Sequence, residues 1–229
     1  MFDLSFLLAD GYVRLLRDGI LTTLCLFVVS GLLAIVVGIS LATLRALPMR
    51  LSKAFVIVIV EYHRNVPMLV QILVWYFGVP QLLPESIKLW INVGNTEFFF
   101  ATIALGLNSG AFISEDLRSG LRAIPHTQQE AAWSIGLTHL QSLRYVILPQ
   151  GIRVALPALL NQALLLFKNS SLAIAIGYAD FVAVTNTTIN QTGQAIEGVA
   201  LIMLVYLFFS LSTSFFMNWY NKKMALVER

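Results

Sequence analysis

The chain has 229 residues, of which 58% are hydrophobic and 12% charged, with a mean hydropathy of +0.78 and a formal net charge of +3. Soluble domains are about 25% charged, so the composition excludes an ordinary soluble domain and indicates a polytopic membrane protein. The basic residues are scattered between apolar blocks, which argues against nucleic-acid binding, and the single cysteine, Cys25, excludes an intrachain disulfide.

In chain order, the first predicted element is an amphipathic helix over residues 1–18, because leucines recur there at helical spacing. Five apolar blocks follow, and crossing the hydrocarbon core takes about 20 residues. We therefore predict an all-α membrane protein with five transmembrane helices and a short tail. The predicted spans are 20–44, 54–79, 97–117, 153–177 and 198–219, and the tail is 221–229.

The orientation follows from the Lys and Arg residues outside the spans. Alternate segments hold ten of them, against three in the remaining segments. Basic loops remain in the cytoplasm, so we expect the N-terminus outside and the C-terminus in the cytoplasm. The long polar segment 125–149 between spans three and four then lies in the cytoplasm, and the polar stretch between spans four and five is expected to be an exposed outer loop.

The cytoplasmic segment 127–149 reads TQQEAAWSIGLTHLQSLRYVILP. Thr127 with Glu130, and Thr138 with Gln141, have the three-residue spacing of a capping box, which predicts two helix starts. Gly136 between them can take the left-handed conformation that ends the first helix. Pro149 is expected to terminate or kink the second helix. Beside Glu130, residues Ala131 and Ala132 are small enough for another surface to approach the first helix closely.

Two basic residues lie inside predicted spans, near the middle of the bilayer. A charge there costs about 2.5–3.5 kcal/mol on insertion scales, so Arg64 and Lys168 should face protein or water and have a partner. Glu61 shares a helix face with Arg64 and is the expected partner in a structural ion pair. The alternative for Arg64 is a role along a translocation path. For Lys168 the two possibilities are a pathway or ligand role and the capping of a neighbouring helix end.

The fourth span carries further polar residues, which favours a path-lining role over a lipid-facing one. Gly106 and Gly110 form a GxxxG pattern, for which packing within the subunit and a dimer seam both remain open. His63 and His139 lack clustered ligands, so no metal site is expected. The candidate path residues are Arg64, Gln71, Asn108, Asn161, Lys168, Asn169 and Ser171.

The pattern of the cytoplasmic segment resembles the Glu-Ala-Ala loop of the permease subunits of bacterial ATP-binding-cassette (ABC) importers. The residues that carry it are Glu130-Ala131-Ala132, Gly136, Val146 and Leu148-Pro149, with Val146 where the family usually has Ile. Residues 61–67 (EYHRNVP) and 168–172 (KNSSL) are similar to the polar amino acid branch of that family. Residues 79–85 (VPQLLPE) look most like glutamate/aspartate permeases. The resemblance runs from about Gly19 to Tyr220.

This resemblance implies a type I ABC importer permease fold in the bacterial inner membrane, with residues 19–220 as its transmembrane domain. It implies that Thr127–Leu140 contains a coupling helix that docks on a cytoplasmic ATPase dimer through Glu130, Ala131, Ala132 and Gly136. The other implied partners are a second permease subunit, identical or paralogous, an extracytoplasmic amino-acid-binding protein and an amino acid. The chain has no G-x-x-x-x-G-K-[ST] phosphate loop, so ATP and Mg²⁺ are expected on the partner ATPase and no cofactor on this chain.

Two other functional classes remain as rivals. An ion-coupled secondary transporter or channel would use Arg64, Glu61 and Lys168 as a relay and would need no ATPase. An intramembrane enzyme would need a paired acid, a Ser–His–Asp set or metal-ligand spacing, and the spans present none of these. The preferred prediction is a non-catalytic permease subunit.

Overall fold

The structure, a computed structural model, describes residues 10–224, and every regular element in that range is helical. A π-helical turn at Val74–Gly78 joins α3 to α4, another at Leu143–Ile147 joins α8 to α9, and a 3₁₀ segment at Ser170–Ile176 follows α9. The α-helices are α1 Asp10–Ala46, α2 Arg50–Asn65, α3 Met68–Leu73, α4 Val79–Leu82, α5 Glu85–Asn92, α6 Thr96–Arg122, α7 His126–Ser134, α8 His139–Ser142, α9 Leu148–Asn169, α10 Phe181–Thr192 and α11 Ala195–Met224.

Four helical runs within residues 10–224 are long and apolar enough to cross a membrane: Gly11–Ala46, Thr96–Arg122, His139–Ile176 and Ala195–Tyr220. A fifth span is obtained when Arg50–Asn65 and Met68–Leu82 are counted together, although this pair is bent by 110°. The five predicted blocks correspond to these runs. The second one is broken sharply at Val66–Pro67, inside the span predicted over residues 54–79.

The first helix is longer than predicted. It begins at Asp10 and continues without interruption for 37 residues, so the expected boundary between a surface helix and the first span at residues 18–19 is not a break in the backbone. At about 1.5 Å per residue it is about 55 Å long, well beyond a hydrocarbon core of about 30 Å. Residues 1–9 and 225–229, which include the rest of the predicted surface helix and most of the tail, lie outside the described residues.

The centre of the fold is the close packing of α1 against α6. A Cβ atom added to Gly106 would lie 2.6 Å from Leu33 Cδ2, and one added to Gly110 would lie 2.7 Å from Val37 Cγ1. Both separations are too short for real contacts, so these positions require glycine. The GxxxG pattern therefore packs within the subunit, against α1.

Both π-helical turns precede a proline. Pro80 and Pro149 lack an N–H, and each ring would clash with the carbonyl four residues earlier, at Tyr76 and Tyr145, in a regular α-helix. The wider π turn displaces that carbonyl and lets the helix continue. Of the two expectations for Pro149, that it ends the helix is wrong, because His139–Ile176 is one continuous run; the helix instead deviates from regular α geometry before the proline.

The polar stretch between spans four and five is a helix, α10, where an exposed loop was predicted. Thr185 and Thr188 are buried in it, and their hydroxyls donate to backbone carbonyls one turn earlier. Asp180 begins the helix by accepting a hydrogen bond from the Ala183 N–H at 2.8 Å. Burial raises the pKa of Asp180 to about 6, although the hydrogen bonds from the Val182 and Ala183 amides lower it.

Side-chain hydrogen bonds fix the start of α10 to α1. Thr22 donates to the Ala179 carbonyl at 2.8 Å, and the Phe181 N–H donates to the Thr23 hydroxyl at 2.9 Å. The turn before them passes through Gly177, which has a φ of +84°. This end of the fourth span is therefore anchored to the first.

Candidate functional site

The break in the second span leaves the backbone carbonyl of His63 without its helical partner. Pro67 has no N–H, so the carbonyl of His63, four residues earlier, cannot make the usual helical bond. Two side chains replace it: Gln71 Nε2 donates to the His63 oxygen at 2.9 Å and Asn108 Nδ2 at 2.7 Å. Gln71 Nε2 also donates to the Val66 oxygen at 2.7 Å. The carbonyl of a proline break in a membrane span is thus satisfied from α3 and α6.

This geometry changes the role of two predicted path residues. Gln71 is fully buried and Asn108 is 7% exposed. Their amide nitrogens are engaged by backbone oxygens. Gln71 and Asn108 therefore hold the broken helix in place in this conformation. Sequence analysis missed this role. The available signal was Pro67, because a proline leaves the carbonyl four residues earlier, that of His63, in need of another donor.

The predicted ion pair between Glu61 and Arg64 is not formed. Glu61 Oε2 accepts a hydrogen bond from Asn65 Nδ2 at 2.8 Å, and the same amide donates to the Glu61 carbonyl. The Glu61 carboxylate is therefore hydrogen-bonded to Asn65, about one turn later in the same helix. The Arg64 guanidinium lies over the ring of Phe112 in α6, 5.5 Å from its centroid.

Acidic residues in the C-terminal half of α6 were missed by sequence analysis. Glu115 pairs with Arg45 at the end of α1 and with Arg118 one turn later, the second at 2.9 Å. The Asp116 carboxyl is within electrostatic reach of Arg64 and faces Gln162 of α9. The available signal was the adjacent acidic pair inside the predicted third span.

The remaining candidate residues of the fourth span lie on or next to an uncovered face of α9. Asn161 and Lys168, seven residues apart, are both exposed, and Asn169 is half-buried. Lys168 forms no ion pair with any residue in the described range 10–224. Ser171 lies at the start of the 3₁₀ segment, and its hydroxyl donates to the Lys168 carbonyl at 2.8 Å. The structure therefore presents a free ammonium and an amide on the same side of this helix.

The polar segment after the third span forms a helix–turn–helix unit. Helix α7 ends at a turn in which Gly136 has a φ of +87°, and the Leu137 N–H bonds back to the Ala132 carbonyl at 3.1 Å. The glycine turn and the Thr138–Gln141 capping box are confirmed. The Thr127–Glu130 box is wrong: the N-cap of α7 is Pro125, two residues before Thr127, and the helix has no side-chain cap.

The four predicted coupling residues are not equivalent. Glu130, Ala131 and Gly136 are exposed, whereas Ala132 is 2% exposed and packs inside the chain. Large apolar side chains nearby are open to solvent, namely Trp133, Ile135 and Leu140. An exposed apolar patch on a polar segment is typical of a protein-binding surface. Ala132 instead allows close packing of α7 within the subunit.

No candidate metal centre is found in residues 10–224, since no three His, Cys, Asp or Glu side chains are grouped there. His63 is buried, and its Nδ1 lies 2.9 Å from the Ile59 carbonyl. His139 is exposed beside the Trp133 ring.

Comparison with known proteins identifies the family. Residues 34–226 match the family described as "Binding-protein-dependent transport system inner membrane component". The chain belongs to this family. Its members are ABC transporter permease subunits, which are non-catalytic and depend on a partner ATPase for ATP hydrolysis. The permease is therefore a multi-pass inner-membrane protein.

Curated relatives of the permease are amino acid permeases. It is 39% identical to the putative amino-acid ABC transporter permease YhdX of Escherichia coli, over 100% of this chain and 59% of the relative. It is 50% identical to the general L-amino acid permease AapQ of Rhizobium johnstonii, over 60% of this chain and 34% of the relative. It is 32% identical to the glutamate/aspartate import permease GltJ of Escherichia coli, over 94% and 89%. The chain thus spans just over half of YhdX and a third of AapQ.

Solved structures confirm the fold. A crystal structure of an amino acid ABC transporter with histidines has a TM-score of 0.84 and 29% identity, covering 95% of this chain and 98% of that chain. The inward-facing MetNI methionine ABC transporter has a TM-score of 0.75 at 19% identity, covering 95% and 100%, and supports the fold alone. The predicted type I importer permease fold is thereby confirmed.

Proposed function

We propose that this permease forms half of the translocation path of an ATP-driven importer for a polar amino acid, with glutamate and aspartate as its cargo. The main support for glutamate and aspartate as the cargo is the similarity to GltJ, which extends over 94% of this chain. The exposed ammonium of Lys168, which has no ion-pair partner among residues 10–224, supports an amino acid as cargo, because the α-carboxylate of any amino acid would offset the cost of a charge at membrane depth.

The cytoplasmic face of α7 is the proposed ATPase contact. It combines the exposed Glu130 and Ala131 with the apolar side chains of Trp133 and Ile135. The turn at Gly136 sets the angle between α7 and the segment that continues into α9. Closure of an ATPase dimer around ATP and Mg²⁺ would therefore move α9, and with it Lys168, through this joint.

The path itself is proposed to follow the uncovered face of α9. Asn161 and Lys168 lie on it, Asn169 and Ser171 follow, and Arg64 approaches from the end of α2. Five helices from one chain are few to enclose a water-filled route, so a second permease subunit would complete it. An extracytoplasmic binding protein would deliver the amino acid to the outer end, which the distribution of basic residues predicts to lie opposite the coupling region.

The coupling role is tested by two substitutions in the assembled importer. Gly136→Ala places a β-carbon on a left-handed residue, which costs about 1–2 kcal/mol, and Ala131→Arg puts bulk and charge on the proposed contact. We expect both to lower ATP hydrolysis stimulated by loaded binding protein in proteoliposomes, with the chain still folded and inserted. Gly94→Ala and Ala123→Arg are matched controls, since Gly94 has an ordinary φ and Ala123 is exposed outside α7. Normal stimulation in both test variants would contradict the coupling role.

The cargo is tested separately with a panel of amino acids in the same reconstituted complex. Glutamate and aspartate should stimulate ATP hydrolysis at lower concentrations than glutamine, asparagine or arginine. Lys168→Gln should raise the glutamate concentration for half-maximal uptake by about tenfold or more, because a charge-assisted hydrogen bond contributes about 1.5–3 kcal/mol. Equal stimulation by all amino acids would reject the glutamate/aspartate assignment and leave the importer class intact. Uptake driven by an ion gradient in vesicles containing this chain alone would reject the importer class.

A further inference from the structure

A cavity of about 230 Å³ opens at the end of the bundle opposite the coupling segment. It lies between the π turn that contains Tyr76, the short helix α5 and the first turn of α6, where Thr96 begins the helix that ends at Arg122. The 27 residues of α6 separate it from α7 by about 40 Å. It is therefore distinct from both the coupling surface and the charged residues near the middle of the spans.

Two hydrogen-bond donors line this cavity, the Asn92 amide and the Lys88 ammonium. The Tyr76 hydroxyl donates to Glu97 at 3.1 Å, so its proton is used. The Asn92 side-chain oxygen accepts from the Thr96 hydroxyl at 3.3 Å, which leaves the two amide hydrogens of Asn92 available. Lys88 adds a positive charge. A ligand that fits these groups supplies anionic oxygen atoms.

The carboxylate that pairs with Lys88 within the described residues holds it weakly. Glu85 Oε2 lies 3.4 Å from Lys88 Nζ, and the Glu85 side chain is 76% exposed. Exposed pairs of this kind contribute about 0–1 kcal/mol, because water competes for both charges. A phosphate can therefore take the place of Glu85, whose side chain is free to turn towards water.

The walls and the rim of the cavity are apolar, which points away from a free, fully hydrated anion. Pro80, Ile91 and Phe100 line the interior. On α5, the helix that contains Ile91, the side chain of Leu89 is 62% exposed and that of Trp90 70% exposed. Exposed tryptophan and an amphipathic helix at the end of a span are typical of the membrane–water interface.

We propose that this cavity binds the headgroup of an anionic phospholipid. Lys88 Nζ pairs with the lipid phosphate, the Asn92 amide donates to the same oxygen atoms, and the upper part of the acyl chains follows the apolar wall formed by Pro80 and Phe100. A basic side chain close to the membrane surface attracts anionic headgroups. The lipid fills the space between α5 and α6 and supports the π turn at Tyr76.

Lipid binding is measured on the detergent-purified importer complex by native mass spectrometry, with phosphatidylglycerol and phosphatidylcholine titrated separately. We expect phosphatidylglycerol to bind more tightly than phosphatidylcholine, and Lys88→Gln to weaken phosphatidylglycerol binding about fivefold, the effect of one basic residue near an anionic headgroup. Lys88→Arg should retain binding. Lys53→Gln, at the opposite end of the bundle in α2, is the matched control and should leave this site unchanged.

Asn92→Leu provides a second variant at an exposed position, so a folding defect in Lys88→Gln does not remove the test. It should also weaken phosphatidylglycerol binding while the complex still elutes as one species in gel filtration. Equal affinity for both lipids, or unchanged binding in both variants, overturns the proposal. Displacement of bound phosphatidylglycerol by millimolar glutamate or inorganic phosphate also overturns it, because the cavity then binds a soluble anion.

Discussion

The sharpest test of the fold concerns the carbonyl of His63, which Pro67 leaves without a helical partner. Gln71 and Asn108 both donate to it, at 2.9 and 2.7 Å. Asn108→Leu alone leaves the carbonyl with one bond and should destabilise the permease by about 1 kcal/mol. Gln71→Leu also removes the bond to Val66, at 2.7 Å.

The double variant of Gln71 and Asn108 should be worse than the sum of the two single variants. Only in that protein is the buried His63 oxygen left without any donor, which costs about 1–3 kcal/mol more. The single value for Gln71→Leu is less informative, because its Oε1 is buried without a partner and leucine removes that penalty as well. The interaction energy of the double-mutant cycle isolates the shared carbonyl.

The assay is equilibrium unfolding of the purified permease in mixed detergent micelles, followed by fluorescence of its four tryptophans. Gln81→Leu, at an exposed glutamine, is combined with Asn108→Leu as the control cycle and should be additive. An interaction energy between Gln71 and Asn108 below about 0.5 kcal/mol lies within ordinary additivity. That result would refute the argument that the two amides jointly replace the N–H missing from Pro67.

Further predictions concern the backbone and one buried acid. Burial raises the pKa of Asp180 in the folded protein. The free energy of unfolding of the permease should therefore fall as pH rises from about 4 to about 6 and then level off, by roughly 2–3 kcal/mol in all. Asp180→Asn keeps a capping side chain and should abolish this pH dependence in unfolding measurements. Gly120→Ala should sharply reduce the yield of folded protein in gel filtration, since its Cβ would lie 2.4 Å from a backbone oxygen of α9, whereas Gly94→Ala should not. Thr138→Val should speed hydrogen exchange at the start of α8, whereas Thr127→Val should leave the start of α7 unchanged.

Local patterns in the sequence were sufficient for several elements. Gly136 adopts the left-handed turn that its position predicted, and Thr138 forms its capping box with Gln141. In each case a few neighbouring residues determine the backbone geometry. The helix-packing role of Gly106 is similar, because a missing side chain permits close approach whichever helix is its partner.

Other features depended on groups far along the chain. Glu61 and Arg64 have the spacing of an ion pair. The Arg64 guanidinium instead lies over the ring of Phe112, 48 positions later, and the Glu61 carboxylate accepts a hydrogen bond from Asn65. Ala132 has the small side chain of a docking surface, yet the fold buries it. Spacing gives the contacts that a residue can make within its own helix, and tertiary packing decides which of them it makes.

The basic residues of the described chain divide into those with a carboxylate partner and those without. Arg45 and Arg118 share Glu115 at one end of the bundle, so their charges are compensated within the subunit. Lys168 has no such partner among residues 10–224, although a charge at membrane depth costs about 2.5–3.5 kcal/mol. Its compensation must come from water, a second subunit or a carboxylate in transit.

A carboxylate in transit does not by itself explain selection between amino acids. Every amino acid brings an α-carboxylate, so the proposed contact with Lys168 would lower the cost of that charge for glutamate and glutamine alike. Discrimination requires a second group that meets the side-chain carboxylate and is left unpaired when the side chain is neutral. Arg64 is the available cation, and Arg64→Gln should therefore narrow the difference between glutamate and glutamine in uptake, whereas Lys168→Gln should weaken the uptake of both.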